Sequence, residues 1–155
     1  NGLFMSLDNY RELVFPWLKE ICKVAHERGC KVMLHSDGDL SMMLDDRVDD
    51  CKIDALNPIE PTTANPGYSI FEIKRKYGDR LTIVGNVSPT MLATGSIAEI
   101  EAYTTRLMRE CAPGGGYILA SGHSINPAVT LDRWQAMLRI RDTLGGYPIR
   151  HHDPR

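Results

Sequence analysis

Cysteine is scarce and unpatterned. The 155 residues hold four (Cys22, Cys30, Cys51 and Cys111), with no Cys-x-x-Cys pair and no framework spacing. That argues against a disulfide-stapled scaffold and for reduced thiols in a cytoplasmic protein. Positive charge is not in excess: 18 Lys and Arg face 20 Asp and Glu, a net charge of −2. Such a balance offers no basic field to nucleic acid or to an anionic membrane. No apolar run reaches the roughly 18 residues of a membrane span, and no basic-then-apolar signal segment opens the chain. Internal repeats, heptads and low-complexity stretches are also missing. The 43% hydrophobic and 25% charged residues fit one soluble globular domain and exclude a disordered chain.

What is present is a strand-then-helix rhythm. Lys31–His35, Ile53–Ile59, Leu81–Gly85 and Tyr117–Ala120 are short apolar runs without alternation, as strands buried on both faces of a parallel sheet require. Helical patterns lie around and between them. Leu7–Arg28 reads as two helices, the second starting at Pro16 and burying Leu18, Ile21, Val24 and Ala25. Asp39–Asp50 reads as a shorter helix with Leu40, Met43, Leu44 and Val48 inward. Ser69–Tyr77 should stop on a left-handed Gly78. Ile97–Cys111 carries an apolar stripe, and Thr130–Leu144 starts with Thr130 as its N-cap.

Strands alternating with helices imply an α/β fold. No Gly-x-Gly-x-x-Gly turn follows any strand, which disfavours the doubly wound dinucleotide fold. Four strand–helix units are half of a (β/α)₈ TIM barrel, which needs about 250 residues. The chain opens at Asn1 inside a loop-like segment, so it reads as a fragment, half of such a barrel. The half-barrel is expected over 1–146, with a frayed polar tail over 147–155.

Polar residues gather where each strand gives way to its loop. His35-Ser36-Asp37-Gly38 follows the first strand and Glu60 the second. Asn86, in Gly85-Asn86-Val87-Ser88-Pro89, follows the third, and Ser121-Gly122-His123-Ser124 the fourth. In a barrel all four loops open on the C-terminal face, where the active site lies.

Asp37-Gly38, then Gly85-Asn86-Val87-Ser88-Pro89, then Gly115-Gly116-Tyr117-Ile118-Leu119-Ala120-Ser121-Gly122-His123 resembles the uroporphyrinogen decarboxylase superfamily, from about Leu7 to about Leu144. That superfamily also holds zinc-dependent, corrinoid-linked methyltransferases, and the resemblance likewise implies a (β/α)₈ TIM barrel, with this chain as its C-terminal half. His123 matches the decarboxylases' active-site histidine in a Gly-His-Gly turn, with Ser124 in place of the second glycine. Asn86 matches the asparagine of their Gly-Asn-Leu-Asp-Pro turn, with Ser88 where Asp stands. The methyltransferases carry His-x-Cys-Gly after the first of these strands and a later Gly-Cys. Here His35 is kept, and Asp37 and His123 stand at the two thiolate positions.

The first function this implies is cofactor-free decarboxylation of porphyrinogen acetate side chains in tetrapyrrole biosynthesis. His123 and Asp37 would be catalytic, and His35, Glu60, Asn86 and Ser121 would bind substrate. A histidine pKa near 6.5 suits the proton transfer. The alternative is zinc-assisted methyl transfer with a corrinoid partner, the ion held by His35, Asp37 (or Glu60) and His123. No Lys or Arg stands at a strand end to hold a polycarboxylate. A third reading is an inactive half-barrel whose raw sheet edges invite pairing with another chain, a homodimer included. Asp37 could cap the next helix, His26 and His151-His152 should face solvent, and the cysteines and Met42-Met43 should be core packing.

Overall fold

A computed structural model describes residues 3–59 and 65–149. Helices α1 (Leu7–Leu13) and α2 (Phe15–Glu27) precede strand β1 (Met33–His35). A 3₁₀ turn (Ser41–Met43) and a π-helical turn (Asp46–Asp50) lead to β2 (Ala55–Asn57). There follow α3 (Ile70–Tyr77), β3 (Thr82–Val87), α4 (Pro89–Thr94), α5 (Ile97–Cys111), β4 (Tyr117–Ser121) and α6 (Leu131–Leu144). The four strands are parallel and lie in the order β1-β2-β3-β4. This is the layout of half a (β/α)₈ barrel, in agreement with the sequence pattern.

Strand alternation sorts the side chains between two faces. Leu56 and Ile83 are fully buried beneath the helices, with Ile100 and Leu107 of α5. Met33, Ala55, Val84 and Ile118 line the opposite, concave face, a hollow of about 570 Å³. His35 and Asn57 lie two residues beyond Met33 and Ala55, so they stand on that face at the carboxyl ends of their strands. The register pairs them directly.

Helix starts are locally encoded. Ser96 accepts from the Glu99 amide while the Glu99 carboxylate accepts from the Ser96 amide, a complete capping box. Ser69 caps α3 by accepting from the Glu72 amide.

The structure corrects several expectations. Asp39–Asp50 is no continuous α-helix, although Leu40, Met43, Leu44 and Val48 are all buried as expected. Gly78 has φ −66°, so left-handedness is not its role. A Cβ there would come within 2.4 Å of the Lys74 carbonyl oxygen, so close approach is what demands glycine. On α2 the buried side chains are Phe15 and Cys22, while Ile21 and Val24 are exposed. Thr130 sits at the N-cap of α6, but its hydroxyl bonds the Asp132 carboxylate and caps no amide. Cys30 and Met42 are exposed, unlike Cys22, Cys51, Cys111 and Met43. His26 is half-buried against Asp54, 2.7 Å from its carboxylate. The tail beyond Ile149, with His151-His152, lies outside the described residues.

Candidate functional site

β1 ends in His35 and continues through Ser36 to Asp37. β4 ends in Ser121, and its loop reaches His123 two residues later. β1 and β4 are the two edges of the sheet, yet the concave curl brings their loops face to face. The His35 and His123 rings stand 5.8 Å apart, edge to face. One Asp37 carboxylate oxygen lies 3.5 Å from His35 Nε2 and 3.7 Å from His123 Nδ1. One ligand atom from each of the three residues falls within 4.8 Å of the others.

The surroundings hold the site open on one side. His35 and Asp37 are more than half exposed and His123 about a third. A neighbouring cavity of about 270 Å³ is lined by Tyr10, His35, Ser36, Asp37, Asp39 and Leu40, with Leu3 and Phe4. No Lys or Arg is among these described residues.

Asp37 does not cap the turn that follows: that turn has Leu40 at its N-cap and no side-chain cap, the bond to the Ser41 amide comes from Asp39, and Asp37 faces the histidines. Asp39 Oδ1 accepts from the Ser41 amide at 2.9 Å and its Oδ2 from Asn65 at 3.0 Å. Burial pushes this carboxyl up, but the bonds from Ser41 and Asn65 outweigh it and hold the pKa below the ordinary value.

Two of the expected residues lie apart from the trio. Asn86 is buried, and its amide donates to the Ile59 carbonyl at 2.6 Å. It lines a second cavity, of about 210 Å³, with Tyr68, Phe71 and Tyr103 on the helix side. Alternation would have set Asn86 beside Val84 on the concave face. Gly85, at φ +141°, breaks that alternation, and only glycine adopts such a backbone readily. Ser121 donates its hydroxyl to the His123 carbonyl and so shapes the turn that carries the histidine. Glu60 lies outside the described residues.

Sequence reasoning missed Asn57. Its Oδ1 is 2.8 Å from His35 Nδ1, and its amide donates to the Val84 carbonyl at 2.9 Å. Only the cross-strand register pairs it with His35, and a single sequence does not display that register.

The sequence and the fold both match known proteins. The uroporphyrinogen decarboxylase (URO-D) family model matches residues 1–144. The chain belongs to this family. A uroporphyrinogen decarboxylase from Thioalkalivibrio sulfidiphilus (strain HL-EbGR7) is 29% identical over 70 residues, which is 45% of this chain and 20% of that protein. Among solved structures, a methyltransferase from Methanosarcina mazei superposes with a TM-score of 0.71 at 28% identity, covering 92% of this chain and 39% of that one. The chain therefore spans well under two thirds of either relative's length. Among the described residues no helix is long and apolar enough to cross a membrane.

Proposed function

We propose that this chain carries the metal-holding half of a methyl-transfer site, in which His35, Asp37 and His123 bind a zinc-type divalent ion. The observation that carries the reading is the convergence of two imidazoles and a carboxylate within 4.8 Å, from loops at opposite sheet edges. The donor set fits the ion. Two nitrogens and one oxygen, with one side open to a cavity, make a three-ligand site with a free position. The structural relative named as a methyltransferase, at 28% identity, adds support.

Each residue has a distinct task. His35 and His123 offer neutral nitrogen lone pairs from the two edges. Asp37 supplies the one negative charge between the two rings. When bound, zinc would supply the Lewis acidity that turns a protonated acceptor such as a thiol into its anion. The open side toward Tyr10 and Leu40 would admit that acceptor. The methyl donor would be a corrinoid protein, and free thiols suit a cytoplasmic setting.

A second reading is decarboxylation of a porphyrinogen acetate with His123 as proton donor, favoured by the relative named as a uroporphyrinogen decarboxylase. It lacks a basic side chain in the described cavity to hold the carboxylates.

Titration with Co²⁺ or Zn²⁺, followed by calorimetry and by visible absorption of the cobalt form, separates the two. The metal reading expects about one equivalent bound, and loss of binding in each of His35→Ala, Asp37→Ala and His123→Ala. Failure of the unaltered protein to bind stoichiometrically would overturn it.

A further inference from the structure

We infer that Asn57 is a positioning residue that fixes the tautomer of His35. The inference deepens the metal reading above and rests on it for its consequence, though its geometry stands alone.

Three hydrogen-bonding groups set the tautomer in turn. The Val84 carbonyl has no hydrogen and only accepts, so the NH₂ end of Asn57 must face it, as the 2.9 Å contact records. That leaves Oδ1 of Asn57 turned to His35 Nδ1 at 2.8 Å. An amide oxygen also only accepts, so Nδ1 carries the hydrogen. A neutral imidazole has one N–H, and the lone pair is therefore on Nε2. Nε2 is the atom that stands 3.5 Å from Asp37, within the cluster.

The chain from β3 through β2 to β1 thus delivers a basic nitrogen to the site. Val84 belongs to the middle of the sheet and is buried, so its carbonyl is a firm anchor. Asn57 follows Leu56, which is fully buried on the helix side, so its strand position is fixed as well. Without Asn57, His35 Nδ1 would face water and the two tautomers would mix. Partners of this kind, bonded to the far nitrogen of a ligating histidine, typically change metal affinity 10–100-fold.

The test pairs two substitutions with two readouts. Asn57→Leu removes both bonds. Asn57→Asp keeps an acceptor for His35 but loses the donor to Val84. Long-range ¹⁵N–¹H NMR on histidine-labelled protein reads the His35 tautomer directly, and Co²⁺ titration reads affinity. The expected result is the Nδ1–H form in the unaltered protein and in Asn57→Asp, and a mixture in Asn57→Leu. Cobalt affinity should fall at least tenfold in Asn57→Leu and stay within about threefold in Asn57→Asp. Both variants should lose thermal stability, because both lose the Val84 bond, so stability alone does not mimic the pattern. An Nε2–H tautomer in the unaltered protein overturns the inference. So does equal affinity in the unaltered protein and Asn57→Leu, or an Asn57→Asp affinity that falls as far as that of Asn57→Leu. If the unaltered protein binds no cobalt while the tautomer pattern holds, the metal reading fails and the positioning role of Asn57 stands.

Discussion

His35 ends β1 and His123 follows β4, the two strands farthest apart in the sheet, yet their rings meet edge to face at 5.8 Å. Side chains from the edges of a flat four-stranded sheet would be separated by about 14 Å, three strand spacings. The approach is a product of curl and of loops that lean inward, so the pair reports whether the half-barrel keeps its curvature.

A shared ion makes these two residues act as one unit. His35→Ala and His123→Ala should each cut cobalt affinity by two orders of magnitude or more. The double variant should be hardly worse than either single, because the site is already lost. Calorimetric titration of the three variants checks this. Additive losses would mean that the two rings do not share an ion.

Acid stability should depend on Asp54. Its Oδ2 accepts from the Val32 amide at 2.8 Å and lies 2.7 Å from His26 Nε2, while Lys31 reaches its Oδ1 at 2.8 Å. Burial raises this carboxyl's pKa, but the bonds from Lys31, Val32 and His26 outweigh it and leave the value at about 2. A carboxyl held below its unfolded value stabilises the fold above that unfolded value, near pH 4. The contribution fades as pH falls through the folded value, near pH 2. Discounted for solvent around Lys31, it is worth about 1–2 kcal/mol. Urea denaturation of Asp54→Asn should show about that loss at pH 7 and a shallower decline between pH 4 and pH 2.

Thiol labelling should separate one cysteine from the other three. Burial pushes the thiols of Cys22 and Cys51 up and that of Cys111 to about 12, so little thiolate forms there at pH 8. Cys30 is exposed. One fast equivalent with an aromatic disulfide reagent is the expected result, lost in Cys30→Ser and rising toward four on denaturation. Fast labelling of Cys111 in the folded protein would contradict its burial.

The fold was legible where two local signals agreed. α5 has its capping box, Ser96 with Glu99, and an apolar stripe at helical spacing, and it runs over the expected Ile97–Cys111. The strands declared themselves as apolar runs closed by glycine or by polar residues. Single signals misled. On α2, Ile21 and Val24 match helical spacing as well as Phe15 and Cys22 do, and tertiary contact alone chose which pair is buried. The six-residue α4 is too short to show a period and was hidden in a turn motif. In the segment after β1 the core positions were readable, but the 3₁₀ and π turns were not, since neither changes which residues are apolar. Of the candidate site, the strand-end rule located His35, Asp37 and His123, which the fold gathers together. It misplaced Asn86, because alternation fails at Gly85.

Arg47 provides the strongest test of the π-helical turn. Its side chain is 95% buried, and its Nε and Nη1 have no hydrogen-bond partner among the described residues. Burial pulls the guanidinium pKa down, and its electrostatic neighbours among the described residues are Tyr10, Tyr68 and Cys51, none of them a carboxylate. A buried cation without a counter-ion costs several kcal/mol, and an apolar side chain of similar volume removes that cost. Arg47→Met should therefore stabilise the protein by about 1–3 kcal/mol, seen as a higher urea midpoint at unchanged slope. Arg47→Ala should gain less or lose, because it leaves a cavity beside Val48. A marked destabilisation in Arg47→Met would show that the guanidinium is compensated in the folded protein and that its burial is no liability.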